Sequence, residues 1–235
     1  MFAGHERELE SVLTPDERAF VQRRRREPGR ATARLSRALL RLLLGDYLGV
    51  DPRELDIDRE CPECGKPHGK PRLRGDRPLH VSVAHCSDLL VFAVTASAPV
   101  GVDVESLAGC SGVPSDELLA MVLAPAERAC VERVAPGDRW RSFLRRWTYK
   151  EAALKQQGVG LTVPLHAVTV PDGECGGPVD FAGVGGALDE VWVRPLPVRD
   201  PHLAAIATVG QAAVSRVTEI SLTLLPSARP SPRSR

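Results

Sequence analysis

From roughly Asp138 to Gln157 the chain reads as its longest helix, closed by Gly158 where a left-handed cap is wanted. The elements around it are short. His80 to His85 and Leu89 to Ala96 read as two strands of a hairpin joined by the Cys86-Ser87-Asp88 turn, and Val100 to Glu105 as a further strand. Downstream, Leu165 to Val170, Glu190 to Val193, Ala204 to Val209 and Glu219 to Leu225 read as strands between turns. Upstream, Leu35, Leu39, Leu42, Leu43 and Tyr47 recur at helical spacing in an amphipathic helix from Arg30 to Leu48. Pro114 to Val134 reads as helical with a break near Pro125. A chain of 235 residues can bury one large core or form two smaller lobes. Two halves, each a helix followed by short strands, suggest a pseudo-duplicated α+β fold. Its lobes would span residues 1–98 and 99–225, with the tail 226–235 disordered.

The 31 basic and 30 acidic residues leave a formal charge of +1, without the excess that binding to nucleic acid or a membrane surface usually needs. No stretch approaches the length of a membrane span, and the N-terminus, MFAGHERELE, is acidic where a signal peptide would be basic and then apolar. The expected compartment is the cytoplasm, where the six cysteines should stay thiols. The chain uses arginine almost everywhere; its lysines are Lys66, Lys70, Lys150 and Lys155. Lysine is a compact, mobile charge where arginine is a rigid fork, so lysines kept against this bias are candidates for phosphate chemistry.

In GVDVE the two-residue period of a strand sends Asp103 and Glu105 to one face. Side by side they repel unless a cation joins them, and Mg²⁺ is commonly held by one or two carboxylates together with substrate phosphates. A D-x-E triplet taken alone is more often a solvated strand face. On the long helix, Trp147, Glu151 and Lys155 fall at i, i+4 and i+8 and line one side, with Lys150 adjacent. The glutamate could complete a metal site or take a proton, and the two lysines could neutralise phosphate oxygens. Glu151 and Lys155 alone would equally make an ordinary i, i+4 ion pair.

These pieces resemble, in order and spacing, the Sfp-type phosphopantetheinyl transferases. The signatures are Gly69-Lys70-Pro71, then Ala84-His85-Cys86, then Gly101-Val102-Asp103-Val104-Glu105, and finally Trp147, Lys150, Glu151, Ala152, Lys155, Gly158, Gly160 and Leu161. The resemblance implies that the protein moves the 4′-phosphopantetheine arm of coenzyme A onto a serine of an apo acyl or peptidyl carrier protein. It implies that Asp103, Glu105 and Glu151 hold Mg²⁺ on the coenzyme's pyrophosphate and that Lys155 contacts the same phosphates with Lys150 nearby; because a serine hydroxyl is poorly acidic, Glu151 is also the expected general base, directly or through a water. His85 would bind the 3′-phosphate, Lys70 the nucleotide side, and Arg30 or Arg23 would reach the 3′-phosphate. Two pseudo-symmetric lobes, each a long helix packed on a small, mostly antiparallel sheet, and a monomer are the implied architecture. The usual N-x-S-H-S becomes Ser82-Val83-Ala84-His85-Cys86, so at Ala84 only backbone groups remain for the coenzyme.

Two other readings compete. Cys61, Cys64 and His68, in CPECGKPH, resemble half a zinc knuckle and would suit a metal-stabilised binding module; with three ligands where a structural zinc wants four, a cysteine-bearing loop is the expectation. The run Arg23 to Arg26 and the C-terminal arginines would suit a nucleic-acid binder, against which stand the near-neutral charge and only ten aromatic residues.

Overall fold

A computed structural model describes residues 5–27, 29–61, 64–75, 79–86, 88–159, 163–181, 190–212, 214 and 216–218. The strand read at Glu219 to Leu225, the tail, and Gly160 and Leu161 lie outside the described residues. The chain divides into two compact units, one taking in the residues up to Leu55 and the other starting at Asp56. The lobe boundary suggested at 98/99 falls within the second unit, between its two sheets.

In the first unit, α1 (His5–Ser11) and α2 (Pro15–Gln22) pack on α3 (Gly29–Leu48). Thr14 and Glu17 cap α2 reciprocally: the Thr14 hydroxyl accepts from the Glu17 N–H at 3.2 Å, and Glu17 Oε2 accepts from the Thr14 N–H at 3.1 Å. That same oxygen accepts Arg41 Nε at 2.6 Å, and Arg41 Nη1 reaches the Pro52 and Leu55 carbonyls, both at 2.9 Å. A buried guanidinium held this way fixes which side of α3 turns inward. Ala38, Leu40, Arg41 and Leu44 are buried, whereas Leu42, Leu43 and Tyr47, expected on the inner stripe, are exposed.

The second unit carries two antiparallel four-stranded sheets, so the fold is α+β. The first has the order β1-β2-β3-β4, from β1 (Ile57–Asp58), β2 (Arg72–Leu73), β3 (His80–His85) and β4 (Leu90–Thr95). The expected hairpin is β3–β4, in register from His80↔Thr95 to His85↔Leu90. The second sheet has the order β5-β8-β7-β6, from β5 (Gly101–Ser106), β6 (Gly177–Pro178), β7 (Val191–Leu196) and β8 (His202–Val209). The expected break at Pro125 separates α4 (Asp116–Val122) from α5 (Pro125–Arg133).

Across the second sheet lies α6 (Arg139–Gln157), which at 19 residues is one shorter than α3. It ends at Gly158, whose φ of 75° is the left-handed cap conformation. Its Tyr149, Ala152 and Ala153 pack on Val191, Val193, Ala205 and Ala207, and the small side chains bring helix and sheet close together. Phe143, Leu144 and Leu154 join Val122, Val131 and Val168 in a second cluster.

Leu165 to Val170 is not the expected strand. Leu165–Ala167 is a 3₁₀ turn, followed by a single bridge between Thr169 and Asp180. Backbone groups that a ladder would use are already taken: the Leu165 carbonyl accepts from Lys150 Nζ at 3.1 Å, and the Val170 N–H donates to Glu127 Oε1 at 2.9 Å.

Candidate active site

The site begins with Gly101. A Cβ there would lie 1.9 Å from the Ala152 carbonyl oxygen and 2.4 Å from the Gln156 nitrogen, so only glycine lets β5 meet the backbone of α6. The two-residue period of the strand puts Asp103 and Glu105 on the same side. Four strand residues advance about 13 Å, as do nine helical residues at about 1.5 Å each. Running antiparallel from the Gly101 contact, Asp103 and Glu105 therefore come level with Lys155, Glu151 and Trp147.

Asp103 is 5% exposed, and its Oδ1 accepts from Lys155 Nζ at 2.5 Å. Lys155 thus pairs across to the strand, not along its helix with Glu151. The other carboxylate oxygen, Asp103 Oδ2, is buried with no hydrogen-bond partner. Burial pushes the Asp103 carboxyl up, with Lys155 opposing most strongly, the Val104 backbone N–H next and His85 adding a smaller pull downward. Glu105 is pushed up to about 7, first by burial and then by Asp103, with Glu151 pushing the same way and Lys155 and a hydrogen bond from Trp147 opposing. Burial and then Asp103 raise Glu151 as well, against Lys155.

Glu105 and Glu151 thus lie within electrostatic reach of the ammonium that Asp103 holds, and a buried oxygen lacks a donor. Both features fit a divalent cation with oxygen ligands at Asp103, Glu105 and Glu151. Such a cation would supply the missing partner of Oδ2 and reverse the upward pressure on all three acids.

The remaining candidates divide. His85, at the end of β3, is exposed and near enough to Asp103 for a positive imidazole to favour its ionised form. The approach of β3 to β5 is fixed by Ser82, whose buried hydroxyl accepts from the Val102 N–H at 3.0 Å. A serine at an inward strand position was the available signal for Ser82. Ala84 is buried in the β3–β4 ladder opposite Val91.

Lys70 directs its ammonium to the carbonyls of Val100, at 2.9 Å, and Gln156, at 3.1 Å, and burial lowers it to about 8. It pins the Gly69-Lys70-Pro71 segment to the start of β5 and the end of α6. In the first unit, Arg23 is exposed and Arg30 donates to the Arg24 carbonyl from Nε at 3.1 Å and Nη2 at 3.0 Å.

Lys150, expected near the phosphates, has another duty. Its side chain is fully buried, and Nζ donates to the Val122 carbonyl at 2.8 Å, the Leu165 carbonyl at 3.1 Å and the Glu127 carboxylate at 2.5 Å. Three acceptors use all three of its protons. Glu127 also accepts from the Ala124 N–H at 2.8 Å, making the pair a fully bonded brace between α5, α6 and the turn at Leu165.

A profile of the 4′-phosphopantetheinyl transferase superfamily matches residues 99–181, the stretch that contains β5 and α6. The 4′-phosphopantetheinyl transferase HetI of Nostoc sp. is 30% identical over 203 residues, covering 76% of this chain and 82% of the relative. A phosphopantetheinyl transferase of Thraustochytrium sp. is 29% identical over 215 residues, 87% of this chain and 73% of the relative. The Sfp transferase of Bacillus subtilis is 26% identical over 133 residues, 55% of this chain and 57% of the relative. Because the match extends across most of HetI and centres on the strand and helix that assemble the acidic site, the chain belongs to the 4′-phosphopantetheinyl transferase superfamily as an enzyme of that class.

Proposed function

We propose that this enzyme takes the 4′-phosphopantetheine group from coenzyme A, depends on Mg²⁺, and delivers the group to a serine hydroxyl of an apo acyl or peptidyl carrier protein in the cytoplasm, acting as a monomer. The observation that carries the reading is the buried Asp103 Oδ2 without a partner beside the Lys155 ammonium, with Glu105 and Glu151 within electrostatic reach of both. Mg²⁺ held by those three carboxylates would supply positive charge to the pyrophosphate.

Transfer from a pyrophosphate is mostly positioning and charge stabilisation, and each residue has a share in it. Glu151 takes the proton of the carrier serine, directly or through a water. As the serine oxygen bonds to the phosphorus bearing the pantetheine, the bond from that phosphorus to the bridging oxygen breaks. The electron pair leaves with adenosine 3′,5′-bisphosphate. Lys155 has protons beyond the one on Asp103 with which to meet phosphate oxygens. A carboxylate raised by burial and like charge is a stronger base than one in water, which suits Glu151 to a poorly acidic hydroxyl. For the 3′-phosphate the candidate is His85, with Arg30 and Arg23 from the sequence resemblance, and for the nucleotide side Lys70. Fatty-acid, polyketide and nonribosomal-peptide carriers all present the serine required.

The test incubates the enzyme with coenzyme A, Mg²⁺ and a panel of apo carrier proteins, and reads the added arm by intact mass. Gain of the arm that stops in excess EDTA is the expected result. No gain across a varied panel, or undiminished gain in EDTA, would overturn the reading.

A further inference from the structure

Between β1 and β2 the chain makes a loop that the transferase reading leaves unused. Cys61, Cys64 and His68 each offer a ligand atom there, and the three atoms lie within 4.8 Å of one another. Cys64 Sγ and His68 Nε2 are 3.0 Å apart. Zinc with Zn–S of about 2.3 Å and Zn–N of about 2.0 Å in tetrahedral geometry needs donors roughly 3.5–3.8 Å apart, inside the 4.8 Å limit, so Cys64 Sγ and His68 Nε2 would part by roughly 0.5 Å to admit the ion. No disulfide joins the two cysteines.

The backbone holds the donors in this arrangement. The Gly65 N–H donates to the Cys61 carbonyl at 2.8 Å, the Cys61 N–H to the Lys66 carbonyl at 2.9 Å, and the Gly69 N–H to the Arg59 carbonyl at 2.7 Å. Gly65, directly after the second cysteine, has φ +66°, the left-handed conformation that folds the loop back on Cys61. A Cβ at Gly69 would lie 2.6 Å from the Glu60 carbonyl oxygen, so the base of the loop is closed too tightly for another residue.

We propose that Cys61, Cys64 and His68 bind one zinc ion that clamps the β1–β2 loop. Binding releases the two thiol protons, and the fourth tetrahedral position is left to water. Two thiolates and an imidazole suit zinc better than magnesium or calcium, which prefer oxygen. The clamp has a structural purpose, because β1 and β2 are two residues each and pair at only two positions. Ladders that short need support from outside themselves. The loop also delivers Lys70 to the Val100 and Gln156 carbonyls, so the ion would steady the segment that braces β5 and α6. A second cluster, Cys86, Asp88 and His202, fits a metal less well. There His202 Nε2 already meets Asp88 Oδ1 at 2.8 Å, and Nδ1 lies 3.1 Å from the Arg199 carbonyl oxygen.

The test needs no transferase activity. Protein prepared without added zinc is refilled with zinc, freed of loose metal by gel filtration and measured for zinc by mass spectrometry. One zinc per chain is expected, falling to background in Cys64→Ser and His68→Ala and staying at one in Cys86→Ser. Replacement by Co²⁺ should give the visible bands of tetrahedral cobalt with thiolate charge transfer. Because a variant can fail to fold, the wild type is also alkylated and peptide-mapped. Cys61 and Cys64 should be protected until a strong chelator is added, while exposed Cys175 reacts either way. Background zinc in the refilled wild type, a Cys61–Cys64 disulfide, equal alkylation with and without chelator, or zinc lost from Cys86→Ser but not Cys64→Ser would each overturn the site.

Discussion

Replacing Lys150 with Met keeps the length and most of the volume of the side chain and removes its charge and three donors. The Val122 and Leu165 carbonyls lose a partner, and the Glu127 carboxylate, 5% exposed, keeps its charge without its counter-ion. Breaking one side of a buried ion pair typically costs about 3–5 kcal/mol. At roughly 2–4 °C per kcal/mol for a chain of this size, the thermal midpoint should fall by about 6–20 °C. Urea unfolding followed by circular dichroism gives the free energy directly, and the midpoint should move without a change in m. Lys150→Met combined with Glu127→Gln should recover a large part of the loss, since no uncompensated charge then remains. Below the unfolding transition, kcat per folded molecule should stay within a few-fold of wild type, because Lys150 Nζ is bonded away from the Asp103 cluster. A loss under about 1 kcal/mol, the scale of an exposed pair, together with a collapse of kcat would refute this reasoning and return Lys150 to the phosphates.

Glu151→Gln should behave in the opposite way, lowering turnover by roughly a hundredfold or more while leaving the urea midpoint close to wild type, whereas Lys155→Gln should lower turnover comparably and also lower the midpoint, because it leaves the buried Asp103 carboxylate without its counter-ion. Values of kcat within twofold of wild type for both would remove them from catalysis. Glu105 is raised to about 7 in the folded chain, so its contribution to stability is fully present below the unfolded carboxylate value and is lost as pH rises through about 7. Asp103 and Glu151 are raised in the same direction. The thermal midpoint of metal-free protein should therefore fall between pH 6 and pH 8, and Mg²⁺ should restore most at pH 8, where it displaces fewest protons; a Mg²⁺ effect that shrinks as pH rises would contradict the assignment.

What the sequence made legible follows from the range of the interactions involved. The β3–β4 hairpin, the break at Pro125, the Gly158 cap and the common face of Asp103 and Glu105 are set by neighbours a few residues apart, and period and turn chemistry report such neighbours. The turn at Leu165–Ala167 is set by Lys150, 15 residues back, and by Glu127, and no local pattern records that their side chains take the backbone groups a strand would need. The inward side of α3 is decided by Glu17, 24 residues from Arg41, in a helix with leucines on nearly every side.

The two lysines of α6 show the same limit inside the site. Lys150 and Lys155 stand five residues apart in an arginine-rich chain, and both are kept as lysine. Helix geometry turns them about 140° apart, so they must face different neighbours, but it does not say which one faces the carboxylates. Gly101 decides it. By admitting the backbone of α6 at Ala152 and Gln156, it sets the side of the helix that β5 runs along, and Lys155 is on that side with Glu151 and Trp147. Lys150 is left to α5, where Glu127 meets it. A glycine whose only visible property is a missing side chain thus separates a carboxylate-facing lysine from a structural one.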